Sequence, residues 1–277
     1  MGEPFSAFTF VDRITQLEPG KRARGRFAVP RRLTDFRSSL VAEAVGQLAA
    51  WVSMSFLDFR VRPVAGLAGR ASFLDEVRPG DLLELEVELD SCDEDAVAYG
   101  GAAHVNGTRV LELAQCVGPM LPLAEFDAPE AVRERFEVLC GTGAPAGRFP
   151  GVGEPATEII ERGAGKLRAT LHVPQSAAFF GDHFPRRAVF PGTLLLDAQM
   201  RLALELARGA PGANGRLVPE WVRNVKIRSF ILPGQDIELR AELGAGADDL
   251  MTVALAARAE GKPVSSARMA IAVREAA

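Results

Sequence analysis

The sequence predicts an α+β protein built from two similar halves, each a central helix followed by antiparallel strands. Three observations carry that prediction: a repeat at an offset of 154 residues, one unbroken apolar helical segment in each copy, and strands in the same order after each segment. Self-similarity decides architecture more firmly than size does. At 277 residues, 48% apolar and 25% charged, the chain is long enough for one large domain or two of ordinary size.

Pro79-Gly80-Asp81-Leu82-Leu83-Glu84-Leu85 resembles Pro233-Gly234-Gln235-Asp236-Ile237-Glu238-Leu239, a turn feeding an alternating strand, and the same offset of 154 sets Glu43-Ala44 on Asp197-Ala198. Those pairs lie within Leu40 to Met54 and Thr193 to Ala207, segments rich in Ala, Leu and Glu without a Gly-Pro break, which read as buried helices. Strands follow at Leu67 to Phe73, Leu82 to Leu89, Ala96 to Val105 and Arg109 to Val117, with Asn106-Gly107 as a hairpin turn. The second copy repeats them at Val222 to Phe230, Ile237 to Leu243, Leu250 to Ala259 and Val264 to Val273. Upstream of the helices, Gly20 through Pro30 resembles Gly165 through Pro174, but the offset there is only 144 or 145. From Pro30 to Glu43 is 13 residues and from Pro174 to Asp197 is 23, so the second copy carries about ten extra residues before its helix, and they include His183. The predicted division is residues 1–121 for the first copy, 122–155 for a linker with a short charged helix at Pro129 to Leu139, and 156–277 for the second copy.

Composition narrows the function classes. No apolar run approaches the ~20 residues of a membrane helix, and Met1-Gly2-Glu3-Pro4-Phe5 lacks the basic and apolar regions of a secretory signal, so a cytoplasmic protein is expected. Cys92, Cys116 and Cys140 stand far apart with no metal-binding spacing, which predicts free thiols and no metal site. A net charge of −4 argues against a nucleic-acid surface.

The chemistry concentrates in Phe179-Phe180-Gly181-Asp182-His183-Phe184-Pro185-Arg186-Arg187-Ala188-Val189-Phe190-Pro191-Gly192-Thr193-Leu194-Leu195-Leu196-Asp197-Ala198. Pro191-Gly192 opens a helix whose first N–H groups lack intrahelical partners, and such a terminus favours negative charge developing on a carbonyl. Histidine titrates near neutrality and suits proton abstraction, and a carboxylic acid suits protonation of a departing hydroxyl. A lone loop histidine is ordinarily a surface or capping group. Here it stands in register with a helix-opening Pro-Gly and an acid, whereas His104 and His172 have no such surroundings and read as structural.

The run resembles the signature of the 3-hydroxyacyl-[acyl-carrier-protein] dehydratases, FFxGHFPxxPxxPGxLxxEA, with the acid 14 residues after the histidine. The resemblance implies a double hot-dog fold: two antiparallel sheets, each wrapped around a central helix and packed as an intramolecular pseudo-dimer. It also implies removal of water from 3-hydroxyacyl thioesters to give 2-enoyl thioesters, in fatty-acid or polyketide-type biosynthesis. The partner would be an acyl carrier protein whose phosphopantetheine holds the substrate, with no other cofactor, and the assembly a monomeric pseudo-dimer or a homodimer of double hot-dogs.

In this family the histidine of one unit faces the acid of the other, which implies a site of His183, Glu43 and Gly192, with Gln47, Pro191 and Phe184 in support. Glu43 and Gln47 lie one helical turn apart, so the amide can hold the carboxyl group. Asp197 is the runner-up acid. Its glutamine position is Arg201, an expected ion-pair partner, and the histidine loop that should face it is missing, which reads as a retired site. Asp182, Ala188 and Thr193 depart from the signature, and a carboxylate at Asp182 beside His183 would weaken the base by stabilising imidazolium. Arg31, Arg32, Arg37, Arg186 and Arg187 form a candidate docking patch for an acidic carrier protein. Alternative readings are a bifunctional dehydratase and isomerase, an acyl thioesterase of the same fold, and an inactive carrier-protein-binding module.

Overall fold

Two long apolar helices, α1 (Ser38–Phe56) and α3 (Gly192–Arg208), each lie across the strands that follow them, because neither has a polar face wide enough to meet water. The computed structural model describes residues 5, 7–210, 213–244 and 250–275; Met1 to Pro4, on which much of the N-terminal reading rests, lie outside the described residues. The first half contains β1 (Arg13–Glu18), β2 (Arg22–Ala28), α1, β3 (Val61–Pro63), β4 (Leu67–Phe73), β5 (Leu82–Cys92), β6 (Ala96–Val105) and β7 (Thr108–Pro122). The second contains β8 (Thr157–Gly163), β9 (Lys166–His172), α3, β10 (Arg216–Ile227), β11 (Asp236–Leu243), β12 (Leu250–Ala259) and β13 (Lys262–Arg274). Between them lie a 3₁₀ turn (Leu123–Glu125) and α2 (Pro129–Cys140).

The strands run in the order β1-β2-β5-β6-β7-β4-β10-β13-β12-β11-β9-β8, with β3 paired to β7. Read from either end, the order is the same once each strand is replaced by its counterpart in the other half. The expectation of two separate sheets is therefore corrected: β4 and β10 pair antiparallel, with Val222 opposite Ala71 and Val225 opposite Ala68, and make one continuous antiparallel sheet. Each half leaves an unpaired strand edge at that point, and pairing the two edges satisfies their backbone donors and acceptors.

Local chemistry explains how the helices come to rest on the sheet. The repeated Pro-Gly turns place Gly80 at φ +96° and Gly234 at φ +79°, the left-handed region that glycine enters without steric cost. On β6, a Cβ at Gly101 would stand 2.7 Å from Val45 Cγ1 and 2.6 Å from Glu86 O, so the missing side chain is what lets α1 approach the strand. The alternating burial of β2, β5, β9 and β11 sends Phe27, Leu83, Leu85, Leu171, Ile237 and Leu239 into one core with both helices.

The connecting segment is folded against the first half. Phe149 is buried against Phe10 and Phe36, Arg32 donates to the carbonyls of Gly147 (2.5 Å) and Phe149 (2.7 Å), and α2 buries Val132 beside Met54, Phe59 and Leu123.

Candidate active site

The histidine loop exists because the second half has chain to spare. Nine residues separate β2 from α1, and nineteen separate β9 from α3. The extra length folds back so that His183 packs beneath Phe8 and stacks on Phe184, with ring centroids 5.8 and 4.1 Å away. His183 Nδ1 lies 2.9 Å from the Val189 carbonyl oxygen, which can only accept, so Nδ1 carries the hydrogen of the neutral ring and Nε2 is left as the basic nitrogen. Burial lowers the His183 pKa from the usual value of 6.5; Arg62 adds to that, while Glu43 and the Val189 carbonyl oppose it. Burial thus favours the neutral, basic form of the ring.

Glu43, on the second turn of α1, lines the same cavity of about 270 Å³. Gln47 Nε2 donates to Glu43 Oε1 at 3.0 Å and to Phe8 O at 3.0 Å, while Gln47 Oε1 accepts from the Phe10 N–H at 2.9 Å. The amide is thereby fixed in one orientation. The second carboxyl oxygen, Oε2, accepts from Thr193 Oγ1 at 2.7 Å, so the acid is held by one donor from each half of the chain. Thr193, a departure from the signature, thus has a role that sequence reading missed.

Gly192 follows Pro191 at the start of α3 and also lines the cavity. The N–H groups of Leu194 and Leu195 turn back to Pro191 O, and a Cβ on Gly192 would come within 3.4 Å of Ala65 and 3.6 Å of Ile227, narrowing the space between the halves. Phe184 is buried beside Phe126 and Val189. The cavity wall is otherwise mainly apolar, and includes Ala49, Trp51, Met54, Val97 and Ile227. His183, Glu43, Gln47, Phe184 and Gly192 are thus brought together, with Pro191 adjacent at the helix start.

Residues 160–268 match the family model named ApeI-like, described as ApeI dehydratase. The 3-hydroxyacyl-[acyl-carrier-protein] dehydratase FabZ of Clostridium acetobutylicum is 33% identical over 113 residues, covering 37% of this chain and 80% of that protein. The chain belongs to the FabZ-type dehydratase family. FabZ of Syntrophotalea carbinolica is 34% identical over 118 residues, covering 38% of this chain and 80% of its own length. Two solved structures share the hot-dog fold across nearly the whole chain. A putative oleoyl thioesterase from Lactobacillus plantarum has a TM-score of 0.61 at 11% identity, covering 92% of this chain and 96% of its own. The dehydratase domain of PpsC from Mycobacterium tuberculosis, in complex with C12:1-CoA, has a TM-score of 0.56 at 15% identity, covering 97% and 100%. At such identities these two likenesses are of fold alone.

The FabZ-type family signature has its acid on the same chain segment as its histidine, and that acid, Asp197, is elsewhere occupied. Asp197 is only 6% exposed, and its Oδ2 meets Arg37 at 3.0 Å and Arg201 Nε at 3.1 Å while Ser39 donates to Oδ1 at 3.2 Å. Burial pushes its carboxyl above the usual range, against the pull of both guanidiniums and the hydroxyl. The expected pair with Arg201 is present. Arg37, placed with the docking arginines from sequence, is instead largely buried in this network and also pairs with Glu154. Arg32 is committed to the connecting segment. Arg31, Arg186 and Arg187 are exposed, although Arg186 also donates to Ala124 O and Arg187 to Glu125. Asp182 accepts from the N–H groups of Ala7 (2.9 Å) and Phe8 (2.8 Å), so its carboxylate ties the N-terminal segment to the histidine loop. His104 and His172 lie outside the cavity, beside Glu86 and Asp236.

Three charged residues lining the cavity, Arg62, Asp127 and Arg135, have no precedent in the sequence reading. Arg62, on β3, stacks its guanidinium 3.7 Å from the Phe184 ring centroid, and its Nε is buried without a hydrogen-bond partner among the described residues. Neighbouring Asp127 pairs with Arg135.

Proposed function

We propose that the chain dehydrates 3-hydroxyacyl thioesters carried on an acyl carrier protein. The observation that carries this reading is a histidine whose Nδ1 faces the Val189 carbonyl, leaving Nε2 without a hydrogen-bond partner among the described residues, and a carboxyl group held by an amide and a hydroxyl, lining one mainly apolar cavity from opposite halves of the chain. With the thioester carbonyl at the start of α3 by Gly192, His183 Nε2 takes a proton from C2 as enolate character develops toward the helix N-terminus. Glu43 gives its proton to the 3-hydroxyl. The C2–H and C3–O bonds break, a C2–C3 double bond forms, water leaves, and a proton passed from His183 back to Glu43 restores the starting state. No cofactor beyond the carrier's phosphopantetheine is required by this balance. Hydrolysis of the thioester by an acid that directs water would leave the positioned histidine without a role. In solution the two halves supply each other's site, so one chain suffices as an intramolecular pseudo-dimer.

Incubating the protein with a 3-hydroxyacyl thioester and following enoyl absorbance together with free thiol tests the reading. Enoyl product without thiol release is expected; thiol release without enoyl product would replace the dehydratase by a thioesterase, and neither product would leave a carrier-binding module.

A further inference from the structure

Among the described residues Arg62 makes no ion pair of its own, in a mainly apolar cavity that Asp127 and Arg135 also line. Trp51, Met54, Val64, Val132 and Phe184 line the same cavity. Among the described residues its Nε has no hydrogen-bond partner, Asp127 gives its carboxylate to Arg135 and to the Ala128 N–H, the ring faces of Phe184 and Phe126 lie 3.7 and 5.8 Å from the guanidinium, and Asp127 and Glu43 favour its charge from beyond ion-pair distance. A buried charge left unpaired is costly, and a cation–π contact offsets only part of that cost. Burial pulls the guanidinium down to about 9, which still leaves it charged at neutral pH. Such a group is poised for an anion that arrives with the substrate.

Geometry says which part of the substrate that is. The guanidinium is 3.7 Å from the Phe184 ring and that ring is 4.1 Å from the His183 ring, so the cation stands within about 8 Å of the base that works on C2. The carrier arm runs some dozen bonds from its sulfur to its phosphate, about 14 Å extended at ~3.5 Å for every three backbone-like bonds. With C2 at His183, an extended arm carries its phosphate beyond that reach, while the first carbons of the acyl chain fall within it.

We propose, on the basis of the dehydratase reading above, that Arg62 pairs with a carboxylate borne on the acyl chain, and that the substrate is a carboxylated 3-hydroxyacyl thioester in preference to a plain alkyl one. A planar fork facing a carboxylate is the pairing guanidinium geometry favours, and an apolar enclosure strengthens it.

The test compares 3-hydroxyadipoyl-pantetheine with 3-hydroxyhexanoyl-pantetheine, equal in chain length and differing in the terminal group. The wild-type protein should favour the carboxylated substrate in kcat/KM by about 10- to 100-fold, the range a hydrogen bond to a charged group supports. Arg62→Met should erase the preference and Arg62→Lys should retain part of it. Equal turnover of both substrates by the wild type overturns the inference and leaves the dehydratase reading standing, and this outcome needs no variant that folds. Dehydration of neither substrate overturns both. If Arg62→Met keeps the preference but shifts the acid limb of the pH profile equally for both substrates, Arg62 only tunes His183 and the inference fails. The same pair carried on phosphopantetheine separates the remaining anion: a dependence on the phosphate that Arg62→Met abolishes would assign the arginine to the carrier arm instead.

Discussion

Glu43 and Asp197 stand 154 residues apart on equivalent turns of two equivalent helices, and they have opposite surroundings. Glu43 is held by an amide and a hydroxyl, uncharged donors that fix its position, and it shares a cavity with His183. Asp197 is held by two guanidiniums and a hydroxyl in a space the shorter loop of the first half leaves without a histidine. The same backbone therefore supports one carboxyl group that lines the cavity on uncharged donors and one committed to an ion network. What separates them is the charge of the partners and about ten residues of loop.

The largest effect expected from breaking this asymmetry is at the composite pair. His183→Ala should lower kcat by at least about 100-fold with the fold intact, since a positioned acid–base group contributes ~10²- to 10⁴-fold. Glu43→Gln should cost nearly as much, and the circular dichroism spectrum of each variant should match the wild type. Activity within tenfold of wild type for either variant would dismantle the pairing of halves.

The comparison sharpens at Asp197, where stability should suffer more than rate. Asp197→Asn leaves Arg37 and Arg201 facing an uncharged amide, and losing one partner of a buried pair costs about 3 kcal/mol at the low end of the usual range, fitting here because Arg201 is partly exposed. The thermal midpoint should fall by several degrees while kcat stays within about threefold, far below the loss of a working acid. A variant as stable as wild type but inactive would make Asp197 the acid.

A smaller, graded effect concerns pH. The His183 pKa is depressed by burial, so its imidazole stays neutral somewhat below the ordinary 6.5 and protonates only on further acidification. The acid limb of kcat/KM should therefore be centred below pH 6.5. An acid limb centred above 6.5 would mean that the carboxylates around His183 outweigh its burial.

Much of this arrangement was legible in the sequence because it rests on local signals. The helices, and β4, β6 and β12, follow from apolar runs and alternation, and the missing loop follows from a change in repeat offset. Other parts had no local signal. The β4–β10 junction is a pairing of distant edges; β8 is exposed along its whole length and shows no alternation of burial, so it went unpredicted. Thr193 looked like a departure from a pattern, and its hydrogen bond to Glu43 spans 150 residues. Arg62 is one arginine in a three-residue strand, and only packing shows that it faces the cavity. Arg37 reads as surface from its neighbours, and its burial depends on Asp197 of the other half.

The smallest expected effect lies at the histidine loop's outer face, where Arg186 and Arg187 are the docking candidates bordering the cavity residues. Each also has a local contact: Arg186 donates to Ala124 O, and Arg187 pairs with Glu125 at 3.2 Å and lies over Phe230. Those exposed contacts are each worth at most about 1 kcal/mol, and the backbone bond from the Arg186 N–H to Phe126 O at 3.0 Å survives substitution of the side chains. The loop should therefore keep its shape when both arginines become glutamate, and turnover of a small uncharged thioester should change little. For a substrate on an acidic carrier protein, the reversed charge should slow association and raise KM about three- to tenfold at low salt, and the difference should shrink as ionic strength approaches ~0.1 M, where exposed charges are screened over about 10 Å. Steady-state kinetics on both substrates across a salt series separates the two roles: equal losses on both, insensitive to salt, would make these arginines braces for the loop that carries His183 and would move the carrier's footprint elsewhere on the surface.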